Sequence, residues 1–230
     1  KLNHILPQFT KCMFITINGS PEDNAPLPFG QSLLNSAEYL EILGSHLCPS
    51  GLLADELELH MKKRFASCIK FFNFCRENPL APISVRLNAL KACVMGSILH
   101  NAETFGDKSP KSLESTYNKM VGTALRVRTN TPTLLMYIES GLLPIKALIE
   151  SRQIKFFQRF QKSLEPGAKR NIVFDELMRN PSNYLKHYQS LATKYNNHRS
   201  IYRAHVDSVK TKIRSLATQG GTKYQMYLTI

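Results

Sequence analysis

The apolar pattern along this chain is mostly helical, and it is clearest between Thr131 and Gln161, where it predicts two helices joined by a tight elbow. Thr131-Pro132 is a cap followed by proline at the first helical position, where a missing N–H breaks no intrahelical bond. Leu134, Leu135 and Ile138 give a short apolar face, and Gly141 supplies the left-handed residue that stops the helix. Pro144 opens the next helix. Ile145, Leu148, Ile149, Phe156 and Phe160 recur at helical spacing and are expected to share its docking face. Arg152, Lys155, Arg159 and Lys162 recur at three, four and three, which predicts a second, cationic stripe on that helix.

Upstream, Lys11 to Ile17 reads as a strand, rich in β-branched and aromatic residues and ended by the turn dipeptide Asn18-Gly19. Ser20 to Gly30 reads as a loop. Gln31 to Leu43 is expected to pair back as a strand around Tyr39 to Leu43, giving a small antiparallel ribbon that must pack on something to be stable. After the break at Cys48-Pro49-Ser50-Gly51, Leu57, Met61, Phe65, Ile69 and Phe72 predict a helix that Pro79 and Pro82 terminate. Ser84 can cap a second helix, with Leu87, Leu90, Val94 and Ile98 on its face. Ser109-Pro110 can start a third, with Leu113, Tyr117, Met120, Val121 and Ala124.

Downstream, Ile172 to Met178 reads as a short helix. Asn180-Pro181-Ser182 then introduces one long helix to about Ala217, whose seam runs through Tyr184, Tyr188, Leu191, Tyr195, His198, Tyr202, Val206, Val209, Ile213 and Leu216. Rich in tyrosine and poor in leucine, it would make a weak coiled coil, with helix–helix self-association as a consequence. Gly220-Gly221 ends the helix and the remainder reads as a tail. The fold expected is mainly α, with a β ribbon over residues 1–50, a helical bundle over 51–165 and a basic helical extension over 166–230.

Charge changes this picture. The formal net charge is +13 over 230 residues. Residues 1–60 hold two Lys/Arg against seven Asp/Glu, residues 61–150 hold 13 against six, and residues 151–230 hold 15 against four. A basic gradient of this kind fits contact with a polyanion, most often nucleic acid. No apolar run approaches the roughly 20 residues that span a bilayer, and an anionic membrane surface is not expected as a partner because the apolar stripes are expected to be committed to the core. Five scattered cysteines suit buried thiols in a reducing intracellular compartment, cytoplasmic or nuclear, rather than a disulfide framework. The chain begins at Lys1, which reads as a fragment or a processed piece.

Motifs for catalysis do not emerge. Cys68 and Cys75 can share a helix face, but no second pair and no nearby histidine completes a metal site. His46 and Cys48 lack partners in sequence. His187, His198 and His205 are spaced 11 and seven apart, wider than the i, i+4 arrangement of a helical zinc site. The acidic pairs Asp55-Glu56 and Asp175-Glu176 fall near helix starts, where carboxylates offset the helix dipole. Gly220-Gly221 is followed by Thr222-Lys223 and not by the Lys-Ser/Thr of a phosphate loop. What remains is charge interleaved with aromatic residues on helices, a binding signal.

Several segments, taken in order, resemble a known family. Thr10-Lys11-Cys12-Met13-Phe14-Ile15 resembles the Lys-Thr-Lys-x-Met-Phe strand near the end of the palm in non-long-terminal-repeat (LINE-type) retrotransposon reverse transcriptases. Tyr39-Leu40 resembles the Tyr-Leu-Gly segment of their primer-grip ribbon, with Glu41 in the glycine's place. Arg86 through Leu99-His100-Asn101-Ala102-Glu103-Thr104-Phe105 is similar to a thumb helix ending in Tyr-Gly-x-Glu-x-Trp. Leu113 to Arg126, Thr131-Pro132, Glu139 to Pro144, Arg152 and Phe156-Phe157 resemble the segment that follows.

The resemblance covers residues 10–161 and leaves 165–230 unmatched. It implies the end of a palm, a primer grip and a helical thumb that holds an RNA template–DNA primer duplex. The Tyr/Phe-x-Asp-Asp motif is not in this chain, so the resemblance implies no catalytic competence alone and no cofactor here; magnesium and the rest of the polymerase would belong to the palm. The residues expected on nucleic acid are Arg152, Lys155, Arg159 and Lys162, with Arg126 and Arg128 in the adjoining loop, and Lys62, Lys63 and Arg64 as a second set. Phe156 and Phe160 are expected in the core. The rival expectation is a non-enzymatic helical module that docks a protein partner through the Tyr-rich seam of residues 184–216.

Overall fold

The computed structural model describes residues 12–30, 32–42, 45–105, 111–162, 183–195 and 198–220. The chain divides into two compact units, Lys1–Arg64 and Phe65–Ile230. Lys11, Ser109-Pro110, the helix expected over 172–178 with its Asp175-Glu176 pair, the side chains of Phe160 and Lys162, and the tail lie outside the described residues.

The first unit contains two antiparallel hairpins. β1 (Leu27–Phe29) pairs with β2 (Ser32–Leu34) around Gly30, whose φ of 62° is the left-handed conformation that glycine adopts without a Cβ clash. β3 (Leu40–Ile42) pairs with β4 (Ser45–Leu47) in the register Leu40↔Leu47. An antiparallel ribbon is therefore present, but its partners differ from those expected. Within the segment expected to pair back, Leu40–Ile42 pairs forward with Ser45–Leu47, and the strand expected from Lys11 contributes one parallel bridge, Phe14 to Ser36. Asn18 at φ 57° turns the chain away, and its N–H donates to the Pro49 carbonyl at 2.8 Å. The loop expected over 20–30 carries a 3-10 turn, Pro21–Asn24, as well as β1.

α1 (Leu53–Glu77) starts in this unit and ends in the next. The Ser50 hydroxyl accepts the Leu52 N–H at 3.2 Å, and Asp55 and Glu56 occupy the first turn as expected. Phe65 and Ile69 are exposed, against expectation, while Leu57, Met61, Cys68, Phe71 and Cys75 are buried. Each four-residue step overshoots a turn by about 40°, so the run 57, 61, 65, 69 walks off its own face. The seven-residue step from Met61 to Cys68 corrects the drift.

In the second unit α2 (Ile83–Ala89) continues through a π-helical segment, Leu90–Met95, into a last turn, Gly96–Ile98. Leu90, Val94 and Ile98 are buried, as their spacing predicts. The helix begins after Pro82, so Ser84 is not its cap. α3 (Lys111–Leu125) buries all five residues expected on its face. α4 (Thr133–Ser140) and α5 (Ile145–Lys162) form the elbow. Gly141 ends α4 at φ 61°, ψ 19°, and its N–H donates to the Ile138 carbonyl at 3.2 Å. Pro132 takes the cap position expected for Thr131. The Tyr117 hydroxyl donates to the Leu143 carbonyl at 2.9 Å, which pins the elbow to α3.

Two helices, α6 (Asn183–Lys194) and α7 (His198–Thr218), stand where one is expected. The first ends at Lys194 and the second begins at His198, and the sequence between them includes two poor helix formers, Asn196-Asn197. Both pack on α5. Ala147 and Ile154 of α5 share a core with Leu191, Tyr195 and Ile201. Phe157 stacks on Tyr188, centroids 5.6 Å apart and planes 7° from parallel. The described part of the extension thus belongs to the same unit as the bundle, and Tyr188 and Tyr195 of the seam are internal. Among the described tyrosines of the seam, Tyr202 is the exposed one.

Candidate nucleic-acid interface

α5 places its charges asymmetrically. Glu150 is its only carboxylate, and it is 6% exposed and paired: Oε2 lies 3.2 Å from Nε2 of His205 on α7. Burial pushes this carboxyl up, but the hydrogen bond and charge of His205, with Lys194 and Lys146, outweigh burial and hold it below the usual carboxylate value. Among the described side chains of the helix, the exposed charged residues are therefore all cations: Lys146, Arg152, Lys155 and Arg159.

Arg152, Lys155, Phe156 and Arg159 fall within about 100° of one another around the helix axis, and the span from 152 to 159 is about 10 Å. All four are exposed. Lys155 and Arg159 make no ion pair or hydrogen bond among the described residues. Arg152 is anchored, its Nη1 donating to the Leu99 carbonyl at 2.7 Å, which ties α5 to the end of α2. Phe156 was expected in the core and is 44% exposed; its neighbour Phe157 fills the core position against Tyr188. The sequence signal for this was the buried set 150, 153, 154 and 157, which includes the polar Glu150 and Gln153 that an apolar search passes over.

The other cations expected on nucleic acid divide. Arg126, in the left-handed conformation at φ 57°, donates from Nη2 to the carbonyls of Pro79 and Ala81. It closes the C-terminal end of α1 together with buried Arg86, whose Nη2 donates to Asn78 at 2.8 Å and Pro79 at 3.0 Å. Those carbonyls have no helical N–H to accept, because α1 has ended and two prolines follow. Arg128 is exposed, and its guanidinium makes no ion pair or hydrogen bond among the described residues. Lys62, Lys63 and Arg64 belong to the first unit. Lys62 is exposed, whereas Lys63 bonds Glu41 at 2.8 Å and lies 4.3 Å over the Tyr39 ring. Arg64 is half-buried.

Cys48, Cys68 and Cys75 are buried, and burial raises each thiol above its ordinary value, so they serve as small core side chains. Among the described residues no three His, Cys, Asp or Glu side chains converge on a point where a metal ion could be held, and no helix is long and apolar enough to cross a membrane. No protein-family model, curated protein or solved structure matches this chain.

Proposed function

We infer that this chain binds the phosphate backbone of an RNA–DNA template–primer duplex, as the thumb-like part of an RNA-directed DNA polymerase of the LINE type. The observation that carries the reading is the exposed face of α5. Three co-facial cations flank an exposed aromatic ring, and the helix's only carboxylate is turned inward and bonded to His205. Such a face attracts phosphates without reading sequence, which is what a clamp on a moving duplex requires. The ring of Phe156 can lie against sugar or an unpaired base.

Two further observations support the resemblance on which the polymerase assignment rests. Asn101 stands where the family has glycine and holds φ 55°, ψ 23°, the region that glycine and asparagine favour. Phe105 stands where the family has tryptophan and is 2% exposed. In this reading the chain contributes binding, while the aspartates and magnesium ions of polymerisation belong to the palm. The burial of Tyr188 and Tyr195 weighs against the rival reading, because the seam it needs is largely occupied by α5.

The test is affinity for an RNA–DNA hybrid at fixed low salt. Lys155→Glu/Arg159→Glu should weaken binding by about tenfold or more, since two attractions become repulsions. Arg126→Ala should leave it unchanged and lower stability instead. Unchanged binding in the double variant would remove α5 from the interface.

A further inference from the structure

Away from the α5 face, a cavity of about 210 Å³ lies between the α4–α5 elbow and α7. Its walls include Tyr137, Leu142, Pro144, Tyr202 and Val206, with Lys210 in the lining. The polar ends of two lining residues are already engaged: the Tyr137 hydroxyl with Asn118, and His205 Nε2 with Glu150. Apart from the Tyr202 hydroxyl and the Lys210 ammonium, the walls offered to a ligand are therefore mainly apolar. Tyr202 is 51% exposed, and neither it nor Lys210 has a partner among the described residues.

We propose that this cavity is a docking site for an acidic peptide segment of a protein partner, with one bulky apolar side chain entering it and neighbouring carboxylates meeting Lys210 and Arg203. Size sets the first part. An apolar cavity of about 150 Å³ takes up benzene, so this one accommodates one aromatic or branched aliphatic side chain and little more. Charge sets the second. The exposed charged residues of α7 are Arg199, Arg203, Lys210, Lys212 and Arg214 against Asp207, and on α4 the only one is Glu139. A partner carrying acids beside its anchor meets a complementary surface. A nucleobase fits less well, because most of its edge donors and acceptors would be buried against apolar side chains. The proposal is independent of the α5 reading, since it uses a different surface and a different chemistry.

The test is selection from a library of displayed random peptides of about a dozen residues, against the full chain. The expected result is enrichment of one Phe, Leu, Trp or Met flanked by Asp and Glu. Binding of the selected peptides should fall about tenfold or more in Tyr202→Ala and in Val206→Glu, with melting temperatures unchanged in at least one of the two. Lys155→Glu/Arg159→Glu should not affect them. Selected peptides that lack the anchor, lack the acids, or bind both cavity variants normally would overturn the proposal. So would a single-stranded RNA whose fluorescent adenine analogue is quenched by the wild-type chain and not by Val206→Glu, which would make the cavity a base pocket.

Discussion

Arg86 Nη2 lies 2.8 Å from the carbonyl oxygen of Asn78, the first residue past α1. The contact joins the start of α2 to the end of α1 through a guanidinium that is 4% exposed. Removing the side chain takes a buried, charged donor away from the carbonyls of Cys75, Asn78, Pro79 and Thr123. Arg86→Ala is expected to cost about 3 kcal/mol, from the loss of several charge-assisted bonds made by a buried guanidinium. Arg86→Lys should recover only part of this, because an ammonium cannot reproduce the planar fork. Urea unfolding checks it: the midpoint should fall with the slope unchanged. A loss below about 0.5 kcal/mol would put Arg86 among ordinary surface positions.

Two positive-φ residues bracket α5's neighbourhood, Asn101 after α2 and Gly141 after α4. A Cβ at Gly141 would meet nothing within 4 Å, so only backbone strain opposes substitution there. Gly141→Ala and Asn101→Ala should each destabilise by about 1 kcal/mol, while Asn101→Gly should be close to neutral. Thermal unfolding of the three variants separates strain from packing: equal losses in Asn101→Ala and Asn101→Gly would assign the effect to the lost amide.

His46 gives the first unit a pH dependence. The residue is 4% exposed, and neither ring nitrogen makes a hydrogen bond. Tyr39 and His60 pack against its ring, and Glu41 Oε2 lies 3.6 Å from Nε2. Burial, aided by the charges of Lys63 and Arg64 and opposed by Glu41, holds its pKa below 6.5. The folded state thus prefers neutral His46, while the unfolded chain takes up a proton near 6.5. Stability is fully present above that value and declines as pH falls through it toward the lowered folded value. Hydrogen exchange of the β3 and β4 amides should accelerate relative to the intrinsic rate between pH 7 and 5. His46→Phe should flatten that response, and an unaltered response would assign it to another group.

Much of the helical unit was legible because local signals agreed. Leu113, Tyr117, Met120, Val121 and Ala124 combine three- and four-residue steps and stay on one face, and all are buried. Gly141 and Pro144 mark a stop and a start that backbone geometry enforces. The misreadings have physical causes. Phe65 and Ile69 continue a strict four-residue repeat that rotates out of the core. Phe156 and Phe157 are equally apolar, and only their phase relative to Glu150 and Gln153 decides which is buried. Arg126 and Arg128 look alike in sequence, yet a left-handed backbone at Arg126 and unsatisfied carbonyls at Pro79 and Ala81 engage one and leave the other in solvent. Near the N-terminus the short local hairpins prevailed over the longer-range pairing, since closing a shorter loop costs less chain entropy.

The measurement that tests the central claim most directly is the affinity of the chain for an RNA–DNA hybrid across a salt series. Each neutralised phosphate contributes roughly 0.7–0.9 to the negative slope of log affinity against log salt. The wild-type chain should show a steep slope with little dependence on sequence. Replacing Arg152, Lys155 and Arg159 by Gln should reduce that slope by about 2–3, and Arg126→Ala should leave it intact. A wild-type slope near zero, or one that the triple replacement does not change, would contradict the assignment of α5 as the phosphate-binding face.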